Sequence, residues 1–268
     1  MARIRVGTIE LNYETYGEGE PLLLIMGFGA SGAAWLPILP MLAGFKCIYF
    51  DNRGTGSSDA PADGYTILQM AEDASNLLSA LALAKAKVFG VSMGGMIAQE
   101  LTLRHPEQVE KVVLGCTTPG GANAVRPPEE RIAQLIRGLD LVESDQLEPA
   151  LDVMMPLLFP EDFIANHPEL RQFMAAGLKM SPPPRQEILE LTRAGVSDFD
   201  AYDRLPNIKC PVLIVHGDKD VLAPAENALL IKNRIPQAEL LMIPNAGHSF
   251  AAADPVGVHQ RITQWLKS

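Results

Sequence analysis

Apolar and polar positions change period several times along the chain, and each change marks an element. Near the N-terminus they alternate: Ile4 and Val6 precede Gly7-Thr8, and Ile9, Leu11 and Tyr13 follow. That is the pattern of an antiparallel pair joined by a tight turn. Nearly continuous apolar runs come next: PLLLIMG from Pro21, FKCIYFD from Phe45, AKVFGVS from Ala86, KVVLGCT from Lys111, PVLIVHGD from Pro211 and AELLMIP from Ala238. Runs of this kind suit strands covered on both faces, as parallel strands are. Between them the period lengthens. Ile67, Met70, Ala71, Ala74, Leu77, Leu78 and Leu81 share one helical face, which predicts a helix over 67–83. Segments 93–105, 224–234 and 255–267 read as further helices. Strand alternating with helix predicts an α/β fold: a mostly parallel eight-stranded sheet, opened by an antiparallel hairpin and flanked by helices.

The alternation breaks once, between Cys116 and Cys210. That stretch carries helix-like segments near 128–140, 145–158, 161–177 and 184–195, punctuated by Pro127-Pro128 and Pro182-Pro183-Pro184. It predicts a helical cap inserted after the sixth strand, over the carboxyl edge of the sheet, where open α/β sheets bind ligands.

Composition narrows the function classes. A chain of 268 residues accommodates one large domain with an insertion. Its net charge of -10 disfavours non-specific contact with nucleic acid or anionic membranes. No apolar run reaches the roughly 18 residues of a membrane span, and the first residues alternate rather than form a signal-peptide core. The expectation is a cytoplasmic protein with no nucleic-acid or membrane partner; its oligomeric state is left open. Cys47, Cys116 and Cys210 are odd in number, widely spaced and each in an apolar run. They read as buried reduced thiols without metal-ligand spacing, and no metal or organic cofactor is expected.

One glycine loop poses a question. IMGFGASG, from Ile25, contains G-x-G-x-x-G at Gly27, Gly29 and Gly32, and Asp51 ends the next apolar run. That is the spelling of a dinucleotide-binding turn, with an acidic residue for a ribose. The dinucleotide reading needs a βαβ unit at the first strand, whereas here a hairpin precedes the loop.

A second glycine motif is more informative. Gly90-Val91-Ser92-Met93-Gly94 is G-x-S-x-G, set where a strand ends and a helix begins. In that setting the serine sits on a strained turn with its hydroxyl above the sheet. Such a serine needs a base, and the base an orienting acid. Of five histidines, His105 ends a helix, His167 lies in the cap, and His259, in the last helix, reads as solvated. His216, within a strand run, reads as a hydrogen-bonded core residue. His248, in the small-residue loop after the last strand, has the placement of a general base. HGDKD, after the preceding strand, offers Asp218 and Asp220. Loop length favours Asp220 as the acid, with Asp218 bonding backbone N–H groups of the turn.

Together MGFG, DNRGTGSSD, GVSMGGMIAQE, HGDKD and NAGHSF resemble the α/β-hydrolase fold superfamily over essentially the whole chain. The look is of serine-nucleophile esterases, with 3-oxoadipate enol-lactonases, cofactor-free haloperoxidases, meta-cleavage C–C hydrolases and polyketide methylesterases as kin. The resemblance implies a triad of Ser92, Asp220 and His248. It implies a core of residues 1–118 and 206–268, with a cap over 119–205. It also rereads the glycine loop: the residue after the first glycine, Phe28, would donate its backbone N–H to an oxyanion, partnered by Met93 N–H. Met26 stands where the family usually has histidine. In DNRGTG, Asp51, Arg53 and Gly54 become structural. Haloalkane dehalogenases and epoxide hydrolases share the fold but use an aspartate nucleophile, which Ser92 argues against.

The implied activity is hydrolysis of a carboxylic ester or lactone through an acyl-enzyme; the apolar Met, Leu and Phe residues of the cap point to a small-molecule ester with a medium-sized, largely apolar acyl or alkoxy group. Met26, Met154, Met155 and Phe159 are the candidate pocket residues. C–C bond hydrolysis and perhydrolase or haloperoxidase chemistry share the triad, and a non-hydrolytic binding protein on the same fold is the alternative from another class.

Overall fold

A computed structural model describes residues 2–268. Strands β1 (Ala2–Val6) and β2 (Ile9–Tyr16) form the N-terminal hairpin, with Val6 opposite Ile9 and Gly7 at φ +57° in the turn. β3 (Glu20–Ile25), β4 (Phe45–Phe50), β5 (Ala86–Val91), β6 (Val109–Gly115), β7 (Val212–Gly217) and β8 (Glu239–Ile243) complete an eight-stranded sheet. Its order is β1-β2-β4-β3-β5-β6-β7-β8, antiparallel at β1–β2 and β2–β4 and parallel elsewhere. The apolar runs have a direct cause. Leu22, Leu23, Leu24 and Ile25 point to alternate faces, and all four are fully buried, so neither face admits polar positions.

Helices α1 (Ile67–Ala80), α2 (Met93–Arg104), α8 (Glu226–Arg234) and α9 (Pro255–Lys267) flank the sheet. The cap carries α3 (Glu129–Glu143), α4 (Leu147–Leu158), α5 (Glu161–Asn166), α6 (Glu169–Met180) and α7 (Gln186–Ser197). Thr66 starts α1 by accepting the Gln69 N–H, and Asp254 starts α9 by accepting that of Gly257. At the neck of the cap Ala201 N–H donates to Pro119 O and Gly121 N–H to Phe199 O, each at 2.9 Å. Phe199, Ala201, Leu205 and Ile208 then re-enter the main core. Among the described residues no helix is long and apolar enough to cross a membrane.

Two elements differ from expectation. The single helix predicted over 161–177 is two, α5 and α6, because Pro168 bars the preceding His167 from helical backbone. A 3-10 helix at Gly32–Met41 was not foreseen at all. Pro37 and Pro40 within it remove the N–H donors an α-helical ladder requires, while Trp35 and Leu39 still bury their side chains.

Arg53 has a structural place. Its Nε and Nη2 donate to the two carboxylate oxygens of Asp73 at 2.7 and 2.8 Å, with both side chains buried. Arg53→Met strands a buried carboxylate and should cost about 3–5 kcal/mol, whereas Arg53→Met with Asp73→Leu should recover most of the loss. Urea unfolding of the three proteins measures both.

Candidate active site

The residues singled out in the sequence converge on the carboxyl edge of the sheet. Phe28 follows β3, Ser92 follows β5, Asp220 follows β7 and His248 follows β8. Ser92 has φ +55° and ψ -122°, outside the backbone regions open to ordinary residues. Its surroundings hold it there. The Ser92 N–H donates to Gly115 O, and its carbonyl accepts from the Thr117 hydroxyl, each at 2.8 Å. Close packing explains both flanking glycines: a Cβ on Gly90 would lie 2.1 Å from Gly94 O, and one on Gly94 2.1 Å from Ile25 O. α2 begins at the next residue, so Ser92 sits at the positive end of a helix.

The Asp220 side chain is fully buried. Its Oδ1 accepts the Leu222 and Ala223 N–H groups, each at 2.9 Å; its Oδ2 accepts from His248 Nδ1 at 2.8 Å and lies 3.3 Å from His216 Nε2. The turn N–H groups expected to meet Asp218 thus go to Asp220, and Asp218 is exposed. Burial works to raise the Asp220 pKa. The facing His248 charge, the His248 hydrogen bond and the neighbouring His216 ring outweigh it and hold the carboxyl below the usual range. For His248 burial works the other way, but the Asp220 carboxylate and the nearby Cys116 sulfur carry its pKa well above the ordinary value of 6.5. Among the described residues no hydrogen bond joins Ser92 to His248 in this conformation; both side chains line the same cavity.

The glycine loop runs beside Ser92. Asp51 and Asn52, at the end of β4, hold it: Asn52 Nδ2 donates to Met26 O at 3.1 Å, and Asp51 Oδ1 accepts the Gly32 N–H at 2.7 Å. Asp51 Oδ2 also accepts from Asn12 Nδ2 and the Ser57 N–H, which leaves no place for a ribose. Ser31 N–H donates to the Ser181 hydroxyl at 2.7 Å, tying the loop to the cap. Among the described residues the Phe28 and Met93 N–H groups have no protein partner, and both residues line the cavity with Ser92.

That cavity is large, about 730 Å³, and its wall is mostly apolar. Met26, Met154 and Phe159 lie on it. Met155, about 100° further round α4, is instead buried within the cap core. One part of the wall comes from the cap, through Leu139, Leu170 and Met174; another comes from Trp35, Ile38 and the start of α9. Two cavity residues were missed by sequence reasoning. Cys116, read only as a buried thiol, lies beside the His248 ring. Its position directly after β6, on the ligand-binding edge, was the available signal. His259, expected in solvent, is only 4% exposed and lines the wall; its helical face, shared with Pro255 and Ile262, carried that information. His216 is a buried, hydrogen-bonded core residue, its Nε2 donating to Ala223 O at 2.7 Å. Among the described residues no group of acidic, histidine or cysteine side chains has the makings of a metal site.

Comparison with known proteins agrees with this geometry. A sequence profile described as the alpha/beta hydrolase fold matches residues 20–141. A putative carbamate hydrolase RutD of Caulobacter vibrioides is 30% identical, with 100% of this chain and 99% of that protein aligned. The chain belongs to the α/β-hydrolase fold family. A putative non-heme bromoperoxidase BpoC of Mycobacterium tuberculosis is 31% identical over 97% of this chain and 98% of its own length. Among solved α/β-hydrolase structures, a thermophilic esterase from Thermogutta terrifontis superposes with a TM-score of 0.79 at 28% identity. That superposition covers 100% of this chain and 98% of the esterase.

The His248–Asp220 contact makes a direct prediction. The His248 imidazole, followed by NMR, should titrate above the ordinary histidine value. Its pKa should fall in Asp220→Asn, which removes the facing charge, and stay put in Asp218→Asn.

Proposed function

We propose that this protein is a serine hydrolase that cleaves a carboxylic ester or lactone of a medium-sized, largely apolar substrate through an acyl-enzyme. The observation that carries the reading is the sharing of one apolar cavity by the strained Ser92 and by His248 bonded to a buried carboxylate. Ser92 Oγ turns toward His248, gives its proton to Nε2 and attacks the substrate carbonyl carbon. The carbonyl π electrons move to oxygen, where the Phe28 and Met93 N–H groups receive the developing charge. Collapse breaks the bond to the leaving alcohol, which takes the proton from His248. Water, deprotonated by the same imidazole, then adds to the carbonyl of the acyl-Ser92 ester; collapse breaks the C–Oγ bond, Ser92 Oγ takes the proton back from His248, and the acid leaves.

Asp220 keeps the proton of the imidazole on Nδ1 and leaves Nε2 free for the serine. His248 acts as a base only when neutral. Its raised pKa therefore puts the loss of kcat/KM on the acid side above pH 6.5, with activity rising as pH rises. The Met26 side chain, on the cavity wall, supplies apolar surface, and Asn52 and Asp51 hold the loop's backbone. The 730 Å³ cavity favours an acyl or alkoxy group of several carbons over a carbamate-sized substrate.

A fluorophosphonate should add to wild type and not to Ser92→Ala by intact mass. Hydrolysis of p-nitrophenyl esters should fall at least about 10³-fold in Ser92→Ala. A wild type that takes no adduct and turns over no ester would leave the non-hydrolytic binding reading in its place.

A further inference from the structure

The apolar wall carries a polar group that the reaction does not use. His259 sits in the first turns of α9, nearly buried, on the cavity wall with Pro255, Ile38 and Trp35. Its Nδ1 lies 2.6 Å from the carbonyl oxygen of Pro255. A carbonyl only accepts, so Nδ1 carries the proton and donates it. Burial depresses the pKa of the ring and favours the neutral form. Nε2 therefore presents a lone pair, and among the described residues it has no protein partner. Other polar side chains on the wall have different circumstances. Ser92 and His248 form the centre with Ser249 next in sequence, Thr118 bonds to Asn227 and Ser181 to Ser31, and Glu169 and Arg193 are exposed; Trp35 Nε1, also without a partner among the described residues, is a buried donor rather than an acceptor.

An acceptor without a protein partner, carried on a side chain only 4% exposed and set in an apolar wall, disfavours a purely hydrocarbon ligand at that point and favours one that brings a donor. We propose that His259 Nε2 is a second recognition point of the cavity. It accepts a hydrogen bond from a neutral donor, a hydroxyl or amide N–H, carried on the substrate away from the bond that is cut. A carboxylate at that position meets a lone pair and is disfavoured. The substrate class then sharpens from apolar esters to apolar esters bearing a remote hydroxyl or amide. Only the kinetic half of the test rests on the ester-hydrolase reading.

The test uses p-nitrophenyl esters of ω-hydroxy acids and acetate monoesters of α,ω-diols, from four to ten carbons, each against its unsubstituted partner. In wild type the hydroxy-to-plain ratio of kcat/KM should peak at one chain length. The peak should fall about tenfold in His259→Phe, the worth of one hydrogen bond, and persist in part in His259→Gln, which keeps an acceptor. Thermal melting identifies any variant that fails to fold. Calorimetric Kd ratios for the diol monoacetates on Ser92→Ala, with and without His259→Phe, read the same contact without hydrolysis. Ratios that are flat in both assays, or equal in wild type and His259→Phe, overturn the subsite whether or not esters are turned over. A His259-dependent Kd ratio in a protein with no esterase activity retains the subsite and removes the hydrolase reading.

Discussion

The candidate site is organised around a carboxylate that does not meet water. Asp220 is buried at the end of β7, where an isolated charge would be strongly disfavoured. Two backbone N–H groups of its own turn satisfy Oδ1, and two histidines converge on Oδ2. These contacts offset the desolvation and keep the group ionised. The same contacts fix the His248 ring by its Nδ1 atom, so one arrangement both stabilises the buried carboxylate and orients the imidazole. His216, from the strand itself, supports the turn by bonding Ala223 O.

Across the sheet edge, the nucleophile candidate is held by a different means. Ser92 keeps an unfavourable backbone conformation because β6 and the Thr117 hydroxyl bind its peptide groups and because Gly90 and Gly94 let β3, β5 and α2 approach closely. The glycine loop that faces it is anchored from β4 through Asp51 and Asn52. The residues whose spelling suggests a nucleotide cradle do meet, through a Gly32–Asp51 hydrogen bond rather than through a ligand. A mechanism that develops negative charge beside Phe28 and Met93 uses donors already free of backbone partners, in a cavity of low polarity where each is worth more.

Much of this is legible in the sequence. Strands buried on both faces write continuous apolar runs, and G-x-S-x-G between a strand and a helix has few other uses. Features set by tertiary context were not legible. The 3-10 segment at Gly32–Met41 exists because Trp35 and Leu39 need burial in a stretch whose prolines forbid an α-helix. The split at Pro168 was written in the sequence and outweighed by the amphipathic pattern around it. Loop length did single out Asp220 as the partner of His248, but not that Asp220 rather than Asp218 takes the turn N–H groups. His259 and Cys116 became cavity residues through packing between elements far apart in sequence, of which the sequence carried only a trace, in the helical face of one and the strand-end position of the other. Met155 left the candidate pocket because one residue of helix rotation moves a side chain from cavity to cap core.

The central claim is that Ser92 carries the acyl group, and the most direct measurement is acid-quenched peptide mapping during turnover of a slowly deacylating ester. The account predicts a mass increase equal to the acyl group on the peptide containing Ser92, appearing before free acid accumulates and absent in Ser92→Ala. Turnover with no acylated Ser92 peptide, or an acyl group on the peptide containing Cys116 instead, would contradict it.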